Sequence, residues 1–167
     1  MLPGVSFVIG GLASGKTVFA ESLVMSTGRS PVALVTATPD DAAMRAAVAR
    51  RQQAGEGLWQ TRYEPLDIGR TLAGISGDTA VLVDALPVWL ENRLAAGHDP
   101  TEAEAELMAG LALCAAPVVL VSRQPEFGEP PAMRAARGRL NMKLATRAGL
   151  VVNVVAGLPQ VLKGSLP

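Results

Sequence analysis

The chain has 167 residues, with 15 Lys and Arg against 15 Asp and Glu, one histidine and one cysteine. A hydrophobic share of 49% gives enough material for one aliphatic core and excludes intrinsic disorder. The formal charge of zero argues against a nucleic-acid partner. A single Cys and a single His exclude an internal disulfide and a histidine-rich zinc site, so we expect a cytoplasmic protein.

Apolar runs and helical segments alternate along the chain. In order, the sequence predicts a strand at Val5–Ile9, a helix at Thr17–Met25, a strand at Val32–Val35, a helix capped by Asp40 or Asp41 that reaches about Gln53, a strand at Ala80–Val83, a helix from near Leu86, and strands at Val118–Val121 and Leu150–Val155. Strands buried on both faces and separated by helices are typical of a parallel sheet. We therefore predict one α/β domain over residues 1–167, with helices on both faces of a mostly parallel sheet.

Other stretches predict loops and exclude a membrane span. The loops are Gly55–Gly57 with the following Trp59–Pro65, and the proline-rich Gln124–Pro131. In open α/β sheets ligands bind beyond the carboxyl ends of the strands, so we expect these loops to wall a binding site. The longest apolar stretch, Leu111–Val121, contains a proline and is shorter than the ~20 residues of a membrane-spanning helix.

The segment between the first strand and the first helix matches the phosphate-loop pattern G-x-x-x-x-G-K-[ST] without a mismatch: Gly10, Gly11, Leu12, Ala13, Ser14, Gly15, Lys16, Thr17. Glycines let successive backbone N–H groups point at phosphate oxygens. Lys16 would reach the β- and γ-phosphates, and Thr17 would bind Mg²⁺. The motif predicts a nucleoside triphosphate site with Mg²⁺; the alternative is a glycine-rich turn that matches by chance.

Asp84 directly follows the strand Ala80–Val83 and is the best candidate for a carboxylate that holds Mg²⁺ at the end of a neighbouring strand. Lys16, Thr17 and Asp84 are therefore the predicted catalytic residues, with Thr17 and Asp84 as the metal ligands. The alternative for Asp84 is a cap of the helix that begins near Leu86. Phosphate loops serve many enzyme classes, but a small neutral domain favours a small-molecule kinase over a motor on nucleic acid.

Further segments resemble the bifunctional adenosylcobinamide kinase/adenosylcobinamide-phosphate guanylyltransferase family, nearly end to end. They are Gly10–Thr17 with Glu21, Val35-Thr36 with Asp41 and Met44, Trp59–Thr61 with Glu64-Pro65, Leu82–Asp84 with Leu86 and Trp89–Asn92, Gly138–Asn141, and Ala156–Pro159 with Leu162-Lys163. The resemblance implies a RecA-like P-loop fold, often trimeric. It also implies that ATP or GTP with Mg²⁺ phosphorylates the aminopropanol hydroxyl of adenosylcobinamide in cobalamin biosynthesis. The nucleotide contacts it implies beyond the loop are Thr36, Ala37, Thr38, Arg51 and Gln52.

The family's second activity transfers GMP through a guanylylated histidine on the helix after the second strand. Arg50 and Arg51 stand at that position here, and the only histidine, His98, lies in a predicted surface turn. Because arginine stays protonated and cannot attack phosphorus, we expect guanylyl transfer to be lost. The two arginines either bind a phosphate or are solvated on the helix surface.

Other family positions have also changed. Ser122–Pro131 replaces a glycine-rich S-N-E-V-G-x-G-I-V-P segment, Arg134–Asn141 lacks the aspartate of R-D-x-x-G-R-L-N, and Asp84–Pro87 replaces D-C-L-T. The leading hypothesis is a kinase of this family. The alternatives are a non-catalytic nucleotide-binding protein that assembles with cobalamin enzymes, and a P-loop kinase for another small molecule with a new pocket around Gln124–Pro131.

Overall fold

A computed structural model describes residues 1–54 and 57–167, so that Gly55 and Glu56 of the predicted loop lie outside the described residues. The strands are β1 (Val5–Gly10), β2 (Ser30–Val35), β3 (Gln60–Tyr63), β4 (Thr79–Asp84), β5 (Val118–Ser122), β6 (Leu150–Val155) and β7 (Leu158–Lys163). The helices are α1 (Lys16–Met25), α2 (Ala42–Ala54), α3 (Ile68–Ala73), α4 (Leu86–Ala95), α5 (Pro100–Leu113) and α6 (Pro131–Arg147).

The strands form one seven-stranded sheet in the order β3-β2-β4-β5-β1-β6-β7. Every pair is parallel except β6 and β7, which are antiparallel. All five predicted strands are present, and their ends shift by at most two residues. The prediction of a mostly parallel α/β sheet is therefore confirmed.

Helices cover both faces of the sheet because alternate strand residues point to opposite sides. On β1, Phe7 packs in a cluster that contains α3, α4, α5 and α6 residues, and Val8 packs in a second cluster with Leu23 and Val24 of α1. Asp41 caps α2 as predicted, since its Oδ1 accepts a hydrogen bond of 2.8 Å from the N–H of Met44. No helix in the described ranges could cross a membrane.

Two edge strands were not predicted. The stretch Trp59–Pro65, expected as a loop, contains β3, whose side chains are polar and mostly exposed. The prediction was wrong because an edge strand can form by backbone pairing, here with β2, without an apolar signature. At the opposite edge, β7 has only exposed side chains and pairs with β6 through a turn in which Ala156 and Gly157 both have positive φ.

Candidate functional site

The phosphate loop reverses the chain between β1 and α1 by means of left-handed backbone. Ala13 has φ of 52° and Gly15, the N-cap of α1, has φ of 85°. Ala in this region is uncommon, whereas Gly takes it without a steric cost. The loop thus combines one strained residue with one glycine that is suited to its conformation.

Close approaches require glycine at both ends of the loop. A Cβ on Gly10 would lie 2.5 Å from the Ser14 Oγ and 2.7 Å from the Val154 carbonyl oxygen. A Cβ on Gly15 would lie 3.2 Å from the Cα of Gly157. Both motif glycines are therefore needed for packing as well as for approach to a ligand.

The N-terminus of α1 is arranged to attract an anion. The N–H groups of its first turn have no carbonyl one turn earlier, and no side chain among the described residues caps it. The helix dipole adds a partial positive charge at the same place. Lys16, the first residue of the helix, donates a hydrogen bond of 2.9 Å from Nζ to the carbonyl oxygen of Gly11.

Lys16, Thr17 and Asp84 line one cleft of about 180 Å³ at the carboxyl edge of the sheet. The other lining residues come from the loop, the β4–α4 junction and β5: Leu12, Ala85, Pro87, Val88, Val121, Ser122 and Arg123. The structure therefore brings together the three residues that the sequence proposed as catalytic. One expectation was wrong: β4 is not adjacent to β1, because β5 lies between them.

Asp84 is buried and paired with an arginine from α2. Arg51 Nη2 donates to Asp84 Oδ2, while Oδ1 accepts no hydrogen bond from the described residues. Burial raises the pKa of Asp84, and the neighbouring Arg51 guanidinium opposes that rise. The helix-cap alternative is wrong, since the N-cap of α4 is Ala85 and no side-chain hydrogen bond caps it.

Glu21 on α1 joins both arginines at the position of the family's histidine. Its carboxylate accepts 2.6 Å and 2.8 Å hydrogen bonds from Arg50 and a 2.8 Å bond from Arg51 Nε. We call Glu21, Arg50, Arg51 and Asp84 the α2 ion cluster. The side chain of Arg51 is 1% exposed, against 41% for Arg50. The hypothesis of two solvated helix arginines is therefore wrong for Arg51.

The remaining nucleotide-contact candidates lie around the carboxyl end of β2 and on α2. The hydroxyl of Thr36 donates a hydrogen bond to the Ala85 carbonyl oxygen at 2.7 Å and accepts one from the Ala85 N–H at 3.1 Å. These two bonds connect the end of β2 to the start of α4. Ala37 and Thr38 follow it with increasing exposure. Gln52 donates to the Trp59 carbonyl oxygen at 2.6 Å. Thr36 and Gln52 thus have structural partners, and their nucleotide contacts stay predictions.

Arg123 is the cleft residue that the sequence reasoning missed. The sequence predicts a loop at Gln124–Pro131 that begins one residue later, and residues 123–130 do form a loop. Arg123 directly follows β5 and faces the same cleft as Lys16. A basic residue at the end of a buried strand was the available signal. His98 is exposed in the turn before α5 and is not among the residues that line this cleft.

Residues 6–162 match the sequence model of a family described as cobinamide kinase / cobinamide phosphate guanyltransferase. The chain is 32% identical to the bifunctional adenosylcobalamin biosynthesis protein CobP of Pseudomonas aeruginosa, over 94% of this chain and 96% of that protein. It is also 32% identical to the bifunctional adenosylcobalamin biosynthesis protein CobU of Salmonella typhimurium, over 93% of this chain and 98% of that protein. The KaiC-like protein PH0186 of Pyrococcus horikoshii has a similar fold, with a TM-score of 0.50 and 15% identity over 89% of this chain and 71% of its own.

Proposed function

Because the chain belongs to the cobinamide kinase / cobinamide phosphate guanyltransferase family, we propose that it transfers the γ-phosphoryl group of ATP or GTP to the aminopropanol hydroxyl of adenosylcobinamide. The observation that carries this proposal is the cleft shared by Lys16, Thr17 and Asp84. A match that spans residues 6–162 favours this activity over a non-catalytic role and over an unrelated acceptor.

The loop and α1 bind the phosphates in the proposed reaction. The first-turn N–H groups of α1 donate to phosphate oxygens, and the helix dipole stabilises their charge. The Lys16 ammonium exchanges the carbonyl of Gly11 for oxygens of the β- and γ-phosphates. A positive charge held at this place stabilises the transition state more than the ground state, because negative charge shifts during transfer.

The cleft fits a magnesium ion that is shared with the nucleotide. The described residues contain no group of three or more His, Cys, Asp or Glu that could hold a metal by itself. Mg²⁺ in kinases is usually held by one or two protein oxygens together with substrate phosphates and water. In this cleft, the Thr17 hydroxyl and the Asp84 Oδ1 are the protein oxygens that would coordinate the ion. When bound, the ion would neutralise charge on the β- and γ-phosphate oxygens.

Phosphoryl transfer in this cleft depends on positioning. The substrate hydroxyl oxygen forms a bond to the γ-phosphorus as the bond to the β–γ bridging oxygen breaks, the nucleoside diphosphate leaves, and the hydroxyl proton passes to solvent. The transition state of such a transfer is loose, so alignment and charge stabilisation supply most of the acceleration. A dedicated base for the hydroxyl is not required by this account.

Guanylyl transfer through α2 is not part of the proposed activity. Covalent transfer of GMP needs a neutral nucleophile, and the arginines at the family's histidine position stay protonated. Arg51 is also bonded to two carboxylates in the α2 ion cluster. The choice between ATP and GTP, and assembly as a homotrimer, stay predictions.

Purified protein incubated with adenosylcobinamide, Mg²⁺ and either ATP or GTP tests the proposal. We expect adenosylcobinamide phosphate, detected by liquid chromatography and mass spectrometry. Lys16→Ala should slow product formation by about two to three orders of magnitude, and Arg147→Ala, on an exposed residue at the far end of α6, should not. Absence of product from a protein that binds the nucleotide tightly would contradict adenosylcobinamide kinase activity and support the two alternatives, a non-catalytic protein or a kinase for another small molecule.

A further inference from the structure

A second cation, Arg123, lines the cleft beside the phosphate loop. Arg123 follows β5, the strand between β1, which leads into the loop, and β4, which ends at Asp84. Its side chain lines the same cleft as Lys16 and Thr17. Topology therefore places this arginine between the lysine of the loop and the carboxylate that we assign to magnesium.

A residue of α6, Asn141, forms a hydrogen bond with the backbone of Arg123. Asn141 donates from Nδ2 to the Arg123 carbonyl oxygen at 3.0 Å, and its Oδ1 accepts a 2.8 Å hydrogen bond from the Ser122 hydroxyl. Asn141 and Ser122 are both buried, at 8% and 1% exposure. The bond to the Arg123 carbonyl oxygen comes from an amide that the Ser122 hydroxyl holds in turn, so the backbone from which the Arg123 side chain enters the cleft is restrained.

The Arg123 guanidinium is weakly paired within the protein. Its Nε is buried and has no hydrogen-bond partner among the described residues. Among the described residues, the one carboxylate that pairs with the guanidinium is Glu126, at 3.7 Å between Nη1 and Oε1, which is longer than a hydrogen bond. Arg51, Arg93 and Arg137 also have one buried guanidinium nitrogen each without a partner, but each pairs with two carboxylates. Arg123 differs because no carboxylate of the described residues lies within hydrogen-bond distance of it, so its Nη1 and Nη2 groups can donate to a ligand.

The two cations of the cleft also repel each other. Lys16 and Arg123 line the same cleft, so their positive charges face one space. A ligand with several negative charges would relieve this repulsion. A triphosphate supplies such charges, and a guanidinium can bind two phosphate oxygens at once.

We propose that Arg123 is a phosphate-binding catalytic residue that contacts the γ-phosphoryl group of the bound nucleotide from the end of β5, between Lys16 and Asp84. It stabilises the charge of that group in the complex and in the transition state, as an arginine supplied within the same chain. This inference rests on the proposed function, because it requires a triphosphate in the loop.

The test compares triphosphate with diphosphate binding. Titration calorimetry with Mg²⁺ measures the Kd of a non-hydrolysable ATP or GTP analogue and of ADP or GDP, for the wild type, Arg123→Ala, Arg123→Lys and Arg147→Ala. For Arg123→Ala we expect the triphosphate Kd to rise about ten- to a hundredfold and the diphosphate Kd by less than about threefold. Arg147→Ala should bind both nucleotides like the wild type.

Equal weakening of both nucleotides, or unchanged binding of both, would overturn the inference. If circular dichroism shows that Arg123→Ala does not fold, the same binding measurements on Arg123→Lys test the inference instead. We expect the lysine, which has a single ammonium group, to reduce the ratio of diphosphate Kd to triphosphate Kd by about three- to tenfold. An unchanged ratio would overturn the inference.

Lys16→Ala, measured on the same nucleotides, separates this inference from the proposed function. If Lys16→Ala binds both nucleotides like the wild type, the proposed phosphate site is wrong and the inference about Arg123 is wrong with it. If Lys16→Ala loses binding while Arg123→Ala retains both affinities, the site stands and only the role of Arg123 is refuted.

Discussion

The phosphate loop and the inner face of α2 lie at the same edge of the sheet, but they differ in whether their positive charges are paired with carboxylates of the protein. At the loop, Lys16 has a neutral carbonyl as its hydrogen-bond partner, and the N-terminus of α1 has no side-chain cap among the described residues. On α2, Arg51 is buried and paired with both Glu21 and Asp84. Charge at the loop is therefore open to an incoming anion, whereas charge on α2 is neutralised by the protein.

This difference separates a binding role from a structural one. Removing one member of a buried ion pair leaves its partner charged and unsolvated, which costs more than the pair contributes when intact. Removing a cation that faces a cleft leaves no such charge behind. Loss of the Arg51 charge should therefore mainly lower the free energy of unfolding, and loss of the Lys16 charge should mainly affect nucleotide chemistry.

Arg51→Ala should have the largest effect on stability. It leaves the buried carboxylates of Glu21 and Asp84 without their shared partner, and we expect the free energy of unfolding to fall by about 3–5 kcal/mol. Urea denaturation followed by circular dichroism measures this fall. A loss below about 1 kcal/mol would show that the α2 ion cluster does not hold α2 to the sheet.

Lys16→Ala should have a large effect on the reaction rate and a small effect on stability. The rate of adenosylcobinamide phosphorylation should fall by about two to three orders of magnitude, because a preorganised charge at the transferring group is removed. The free energy of unfolding should change by less than about 1 kcal/mol. The two measurements are steady-state kinetics and the same urea titration, and a large stability loss without a rate loss would contradict the assignment.

Gly15→Ala tests the shape of the loop independently of its charge. An alanine at φ of 85°, with its Cβ 3.2 Å from Gly157, should cost about 1–2 kcal/mol of unfolding free energy. Nucleotide affinity should fall as well, because the N–H groups of the first turn of α1 would move. Gly11→Ala is the matched control, since a Cβ there meets nothing within 4 Å.

Arg50→Ala should have the smallest effect of the series. Its side chain is 41% exposed, and Glu21 keeps its bond to Arg51 when Arg50 is removed. We expect a loss of no more than about 1 kcal/mol in the urea titration. A loss as large as that of Arg51→Ala would mean that the two arginines act as one unit and that exposure does not distinguish them.

The phosphate loop and the five internal strands could be predicted because their signals are local. The loop is a contiguous motif, and β1, β2, β4, β5 and β6 are apolar runs that stop at turn or capping residues. The edge strand β3 carries no such pattern, since pairing with β2 rather than burial defines it. The strand β7 was missed although Gly157 marks its turn.

The charge arrangement of the site could not be predicted in the same way. Asp84 and Arg51 are separated by 33 residues along the chain, and nothing local indicates that α2 places its arginine against the end of β4. The same holds for Asn141, which fixes the backbone of Arg123 from 18 residues away. Sequence patterns supplied the residue types, and tertiary packing decided which charges are paired within the protein.

Nucleotide labelled at two positions tests the central claim most directly. Reactions with adenosylcobinamide and Mg²⁺ contain either γ-³²P-labelled ATP and GTP or α-³²P-labelled GTP, and the small-molecule product and the protein are separated at neutral pH. The account predicts γ-label in adenosylcobinamide phosphate and no α-label bound to the protein. Protein-bound α-label at Arg50, Arg51 or His98, or no γ-label in the product, would contradict it.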